Sequence, residues 1–109
     1  MSLVKNFAVD AQINVANVYL DKHGEPTGVD GVPTWKVNFG DVTVVPAADG
    51  LSGKIKSNGN PTLYEVEITA DGDMDNDEVR DLVIIISGAV TALEAVSANT
   101  TIVEEPLEA

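Results

Sequence analysis

The chain has 109 residues, of which 44% are apolar, and its six Lys and Arg stand against eighteen Asp and Glu for a formal net charge of −12. This length fits one domain that buries a core without metals or disulfides, and the apolar content argues against wholesale disorder. The negative field repels nucleic acid phosphates and anionic membrane surfaces, so neither is an expected partner.

Alternation begins early in the chain. Apolar side chains take every second position from 7 to 15, which predicts one half-buried strand within residues 6–20. The phase slips after Ala16, where Val18 and Leu20 become the apolar set, and a bulge or a crossing between sheets would explain the slip. Turn-forming residues fill positions 21–31, so a loop is expected there.

Short strands are predicted through the middle of the chain. Residues 34–37, 41–45 and 51–57 each have the composition of a strand, and the turn sequences PAADG and SNGNP follow the second and third of them. Residues 62–70 give the clearest pattern. Their predicted inward-facing side chains are Tyr64, Val66, Ile68 and Ala70.

The last predicted strand is apolar on both faces. Residues 80–87 therefore suit a central position in a sheet. Residues 89–98 fit either one or two helical turns or a continuation of this strand through Gly88, and we favour the strand. Strands spaced by about 8–12 residues, with turns between them, predict a sandwich or a barrel.

Several segments occur in an order that resembles a known family. These are VDGVPTW, a valine-rich strand, ADGLSGKI, TLYEVEITADGD and a closing apolar strand, which together span about residues 10–88. The order resembles the immunoglobulin-like domains of bacterial surface adhesins and phage virion proteins, in which a Trp after Pro-Thr begins a strand and packs between the sheets. The chain departs from that pattern at Asn60-Pro61-Thr62 and in its more acidic loop at 71–78.

The resemblance implies an all-β fold, an immunoglobulin-like β-sandwich of about seven antiparallel strands. We expect residues 1–98 to form a single domain and residues 99–109 to form a C-terminal tail that is free to be flexible. Trp35 is expected in the core between the two sheets. Truncating one such buried ring to alanine costs on the order of 3–5 kcal/mol of stability.

An acidic loop is the candidate metal site. Alternating carboxylates are oxygen ligands of the kind that Ca²⁺ prefers. An EF-hand is excluded, because Asn76 stands where the sharp-turn Gly belongs and Leu82 where the final Glu belongs. The alternative, which we favour, is a solvated loop whose charge discourages aggregation. The candidate calcium ligands are Asp71, Asp73, Asp75 and Asp77, with Glu78 beside them.

We find no sequence signal of catalysis. His23 is the one histidine and lies in a predicted exposed turn, and the chain has no Cys to act as a nucleophile or a zinc ligand. No serine lies in a G-x-S-x-G context, and there is no glycine-rich phosphate loop. The chain is therefore expected not to be an enzyme, with no catalytic residue and no cofactor-binding residue.

The resemblance implies a structural or interaction domain. Residues 1–12 lack the apolar core of a secretory signal, which favours a phage virion protein, capsid- or tail-associated and assembled in the host cytoplasm. Its expected partners are other virion or surface proteins, including further copies of itself. The alternative is a ligand-binding or spacer module of a bacterial adhesin, displayed at the cell surface and stiffened by calcium.

Overall fold

Short strands make up the regular structure of this chain. The computed structural model describes residues 1–72, 81–93 and 97–107, and this part contains ten β-strands and no helix. The predicted all-β class is confirmed. The strands are β1 (Ser2–Val4), β2 (Phe7–Ala8), β3 (Gln12–Ala16), β4 (Tyr19–Leu20), β5 (Pro26–Thr27), β6 (Asp30–Phe39), β7 (Val42–Pro46), β8 (Ser52–Ser57), β9 (Thr62–Asp71) and β10 (Asp81–Thr91).

The strands form two larger sheets and one small hairpin. The first sheet has the order β1–β10–β9–β6, with β2 also paired to β10, and the second has the order β3–β8–β7, while β4 pairs with β5. Both β1 and β2 run parallel to β10, whereas the other pairs are antiparallel. The prediction of purely antiparallel strands is therefore wrong at this edge. No hairpin joins β1 or β2 to β10, so nothing in the connection forces the antiparallel direction.

The N-terminal segment departs most from its prediction. It is divided among three sheets, because a turn at positions 9 and 10 carries the chain from β2 into the second sheet, and the chain leaves that sheet after β3. Of the two explanations for the phase slip, a bulge or a crossing between sheets, the structure shows the crossing, since β3 ends at Ala16 and β4 pairs with β5 outside the second sheet. The apolar set predicted beyond it is wrong: Val18 and Leu20 are 69% and 59% exposed, and Tyr19 between them is buried. The strand restarts as β4 with the opposite phase, and β5 pairs with it inside the expected loop.

The later strands match their predictions more closely. β7, β8 and β9 lie where alternation predicted them. β6 begins at Asp30, earlier than expected, and its register with β9 shifts between Asp30 and Thr34. β10 lies between β9 and the N-terminal strands, so its central position is confirmed. The strand expected over residues 89–98 is confirmed only as far as Thr91: positions 92, 93, 97 and 98 belong to no strand, and residues 94–96 lie outside the described residues.

One hydrophobic core joins the two larger sheets. Trp35 of β6 packs against this core although it is only partly buried, and its indole Nε1 donates a hydrogen bond of 3.0 Å to the Gly50 carbonyl. A Cβ added to Gly53 of β8 would lie 2.9 Å from the Trp35 ring, so the indole contacts the second sheet as predicted. The buried members of the core are Phe7, Val42, Ile55, Tyr64, Val66, Ile68, Ile86 and Val90.

The molecule is unusually long for its size. Its principal extents are 90 × 23 × 22 Å and its radius of gyration is 21.9 Å, whereas a compact chain of this length has a radius of about 13 Å. The longest strand has 11 residues and spans about 36 Å, so the strands do not account for the long axis. Residues 97–107 are exposed and belong to no strand, and we attribute the additional length to this segment.

Candidate interaction surfaces

The structure describes part of the predicted calcium loop. Asp71 ends β9 and pairs with Asp30 of β6 and with Asp81 of β10, which places three aspartates in one row across the first sheet. Asp30 and Asp71 both take part in further polar interactions. Over residues 1–72, 81–93 and 97–107, no three His, Cys, Asp or Glu side chains are placed to hold a metal ion. The other predicted ligands, Asp73, Asp75, Asp77 and Glu78, lie outside the described residues, so calcium binding there stays a prediction.

His23 lies in the turn between β4 and β5. The residue is exposed, as predicted, and its backbone N–H donates a 2.8 Å hydrogen bond to Asp21 Oδ1. The same oxygen accepts a 3.1 Å hydrogen bond from the backbone N–H of Glu25. Asp21 therefore organises the turn between β4 and β5.

Among the residues described, no helix has the length and apolar character needed to cross a bilayer.

A hydrogen-bond network joins two turns at one end of the molecule. Asp41 lies between β6 and β7, and its carboxylate accepts 2.9 Å hydrogen bonds from the side-chain amides of Asn58 and Asn60. These two hydrogen bonds lower the pKa of Asp41 below its ordinary value. Thr43 donates a further bond of 2.8 Å to Asn58. The network fixes the turn between β8 and β9 against the end of β6.

The outer side of the second sheet carries a basic surface. Lys54 and Lys56 of β8 are exposed and alternate with the fully buried Ile55, so both point away from the core. Their neighbours on either side are Asn14 and Val45 beside Lys54, and Gln12 and Thr43 beside Lys56. The strands β3, β7 and β8 contain no Asp or Glu. We call the outward side chains of these strands the lysine face, and an open depression of about 500 Å³ lies over it, lined in part by Val45 and Pro46.

A second surface lies between the edges of the two larger sheets. Here β1 and β3 border an open groove of about 580 Å³. Its lining includes Leu3, Ile13, Val15 and Ile86, and Lys5 is its one cationic side chain. The groove is thus more apolar and less charged than the lysine face.

Residues 97–107 expose apolar side chains to solvent. In this segment, SANTTIVEEPL, Ile102 is 90% exposed and Leu107 is 99% exposed. Val103 is also largely exposed, and Glu104 and Glu105 follow it directly. An isolated exposed Leu needs no explanation, but three large apolar side chains on one irregular segment make residues 97–107 a candidate interaction surface.

Comparison with protein-family models, with curated proteins and with solved structures finds no match for the chain. The case for a function therefore depends on the surfaces themselves. Sequence reasoning did not single out the lysine face, although the alternation of Lys54, Ile55 and Lys56 in a predicted strand was a signal for it. It assigned residues 99–109 only to a flexible C-terminal tail, because exposure of Ile102 and Val103 cannot be read from a β-prone sequence.

Proposed function

We propose that the chain is a non-enzymatic structural and interaction domain that helps to build a larger particle, namely a phage virion, as a capsid- or tail-associated protein. The observation that carries this proposal is the solvent exposure of Ile102, Val103 and Leu107. Fully burying one such side chain contributes about 1.5–3 kcal/mol. A partner that covered the segment would gain this free energy, and the folded strands would not need to rearrange.

An immunoglobulin-like arrangement of the two larger sheets is part of the proposal. In that fold the second, fifth and fourth strands form one sheet, and the third, sixth and seventh strands form the other. The order β3–β8–β7 supports the first of these sheets and the order β6–β9–β10 supports the second. This chain differs in placing β1 and β2 beside β10 and in adding the β4–β5 hairpin.

Particle association is the test of this function. An antibody raised against the purified chain is used for immunogold labelling of virions banded from the strain that carries the gene. We expect gold at one structural location on the particles. The matched control is the gene carrying Ile102→Ser, Val103→Ser and Leu107→Ser, which should leave the protein folded and the particles unlabelled. A wild-type chain that stays free and monomeric, with no particle labelled, would refute the proposal.

A second candidate is a calcium-stiffened module of a bacterial adhesin, in which Asp71 and the acidic residues that follow it in the sequence supply the ligands. The test is a thermal melt with and without millimolar Ca²⁺, with Mg²⁺ as the control. An ion that binds only the folded chain must raise the melting midpoint. A rise specific to Ca²⁺ that is reduced by Asp71→Asn would support this candidate, and an unchanged midpoint would remove it.

A further inference from the structure

We propose that residues 97–107 of one copy dock on the lysine face of a second copy, so that copies of the chain join head to tail. This inference rests on the proposed function, since it names the partner that the exposed segment binds. It joins two surfaces of different chemistry, one basic and one acidic and apolar. Neither surface is used by the described fold.

Charge selects the lysine face as the receptor. The chain has a formal net charge of −12, so most of its surface repels a segment carrying Glu104 and Glu105. Two of the six Lys and Arg stand on β8, in a three-stranded sheet without any acidic residue. The pair Lys54 and Lys56 can therefore meet Glu104 and Glu105 without opposition from carboxylates on the same strands. The apolar groove beside β1 offers only Lys5, so it lacks a matching pair of charges.

The apolar side chains have a matching place on the same face. Val45 lies directly beside Lys54 in the sheet, and Pro46 follows it at the rim of the depression. The methylene stems of the two lysines extend this apolar strip while their charged ends stay in water. Ile102 and Val103 immediately precede the two glutamates, so one short stretch carries the apolar contacts and then the ionic ones.

The arrangement favours a contact between copies. The molecule is 90 Å long and residues 97–107 are all exposed, so in this conformation the segment does not pack on its own body. The donor and receptor surfaces differ, which makes the contact heterologous. Such contacts generate closed rings where the rotation closes and open filaments where it does not. Either product is a suitable component of a particle.

The experiment measures self-association of the full chain by sedimentation velocity over a range of concentrations. It is carried out at about 20 mM and about 0.5 M salt, since added salt screens exposed ion pairs. We expect oligomers that grow with concentration at low salt and are reduced at high salt. Lys54→Glu with Lys56→Glu should weaken association at least tenfold, and so should Glu104→Lys with Glu105→Lys. Combining all four substitutions should restore it.

Two controls make the result specific. Lys5→Glu with Lys22→Glu makes the same change in net charge away from the lysine face and should leave association unchanged. A chain with Lys54→Glu and Lys56→Glu, mixed with a chain carrying Ile102→Ser and Val103→Ser, should give dimers and nothing larger, because each dimer has one intact contact. Since all these side chains are exposed, the circular dichroism spectrum and melting midpoint should match those of the wild type.

The outcomes separate this inference from the proposed function. Failure of the four-residue charge exchange to restore association would overturn the lysine face as the receptor. Association that survives Lys54→Glu with Lys56→Glu but is lost with Ile102→Ser and Val103→Ser would place the receptor elsewhere and leave the proposed function standing. A chain that is monomeric at every concentration while still labelling particles would also refute self-docking alone.

Discussion

Two buried tyrosines differ in what their hydroxyl groups meet. The Tyr64 hydroxyl donates a 2.5 Å hydrogen bond to the Lys5 carbonyl, and its ring meets Phe7 edge to face at 5.4 Å between centroids. The Tyr19 hydroxyl is buried without a hydrogen-bond partner in the described part of the chain. Burial raises the pKa of both groups above the ordinary value. The Tyr64 hydroxyl links β9 to the N-terminal segment. The Tyr19 hydroxyl is desolvated without a hydrogen bond to offset that loss.

Replacing each tyrosine with phenylalanine should therefore have opposite effects. We expect Tyr64→Phe to lower the free energy of unfolding by about 1 kcal/mol, because a satisfied hydrogen bond is lost. Tyr19→Phe should be neutral or stabilising, because an unsatisfied buried hydroxyl is removed. Urea unfolding of the two variants beside the wild type measures both. Equal destabilisation by the two substitutions would contradict this account.

Gly40 occupies a position where the backbone of a neighbouring strand comes close. Its φ is +103°, and an added Cβ would lie 2.6 Å from Tyr64 Cα. We expect Gly40→Ala to cost about 2–4 kcal/mol, since both strain and overpacking apply. Gly59 is the matched control: its φ is +96° but nothing lies within 4 Å of an added Cβ. Gly59→Ala should cost only the backbone strain, about 1 kcal/mol, and similar unfolding midpoints for the two variants would be inconsistent with the close approach.

At the scale of the element, alternation predicted some strands fully and others poorly. The inward set of β9 is buried as predicted, because a single continuous strand keeps one phase along its length. Alternation over residues 7–15 is as regular, yet these residues are divided between β2 in the first sheet and β3 in the second. Beyond the phase slip alternation also gave the wrong inward set, since Val18 and Leu20 are exposed and Tyr19 is buried. A regular pattern therefore does not report which sheet a strand joins. The parallel pairing of β1 with β10 joins opposite ends of the chain, which no local pattern reports.

The network at Asp41 gives a prediction for the turns that join elements. Because hydrogen bonds from Asn58 and Asn60 lower the pKa of Asp41, the folded state binds its proton less readily than the unfolded state. The resulting stabilisation is present above the unfolded value of about 3.9 and is lost as the pH falls through the lower folded pKa. We expect Asp41→Ala to lower the urea midpoint at neutral pH, with the difference from wild type shrinking in acid. Asp10→Ala, an exposed aspartate outside this network, is the control, and a difference that persists unchanged in acid would exclude the mechanism.

At the scale of the whole molecule, the shape separates a body of strands from an exposed segment. The core residues lie between Phe7 and Val90, and the described residues beyond Leu93 add none to it. The body and the segment therefore contribute different properties. The body provides the stability and contains the lysine face, and residues 97–107 extend the molecule along its long axis.

Removing the segment should change the dimensions of the molecule but not its stability. Small-angle scattering of the dilute chain in high salt should give a radius of gyration near 21.9 Å, and a chain ending at residue 96 should approach about 13 Å. The melting midpoints of the two chains should agree within about 1 °C, because a loss of even 1 kcal/mol would shift the midpoint by several degrees. A clear fall in the midpoint on truncation would mean that the segment packs on the body.

The parallel pairing of β1 with β10 has a mechanical consequence. Force applied at the N-terminal end of β1 and at the C-terminal end of β10 acts along the two strands. The hydrogen bonds between them are then loaded in shear and must break together. These bonds include Ile85 N–H to Met1 O at 2.8 Å and Lys5 N–H to Ser87 O at 2.8 Å, and Val9 N–H to Thr91 O at 3.0 Å continues the row. A load applied between Met1 and the chain that follows Thr91 would therefore act on this whole row of hydrogen bonds at once, and we expect the pairing of β1 with β10 to resist such a load.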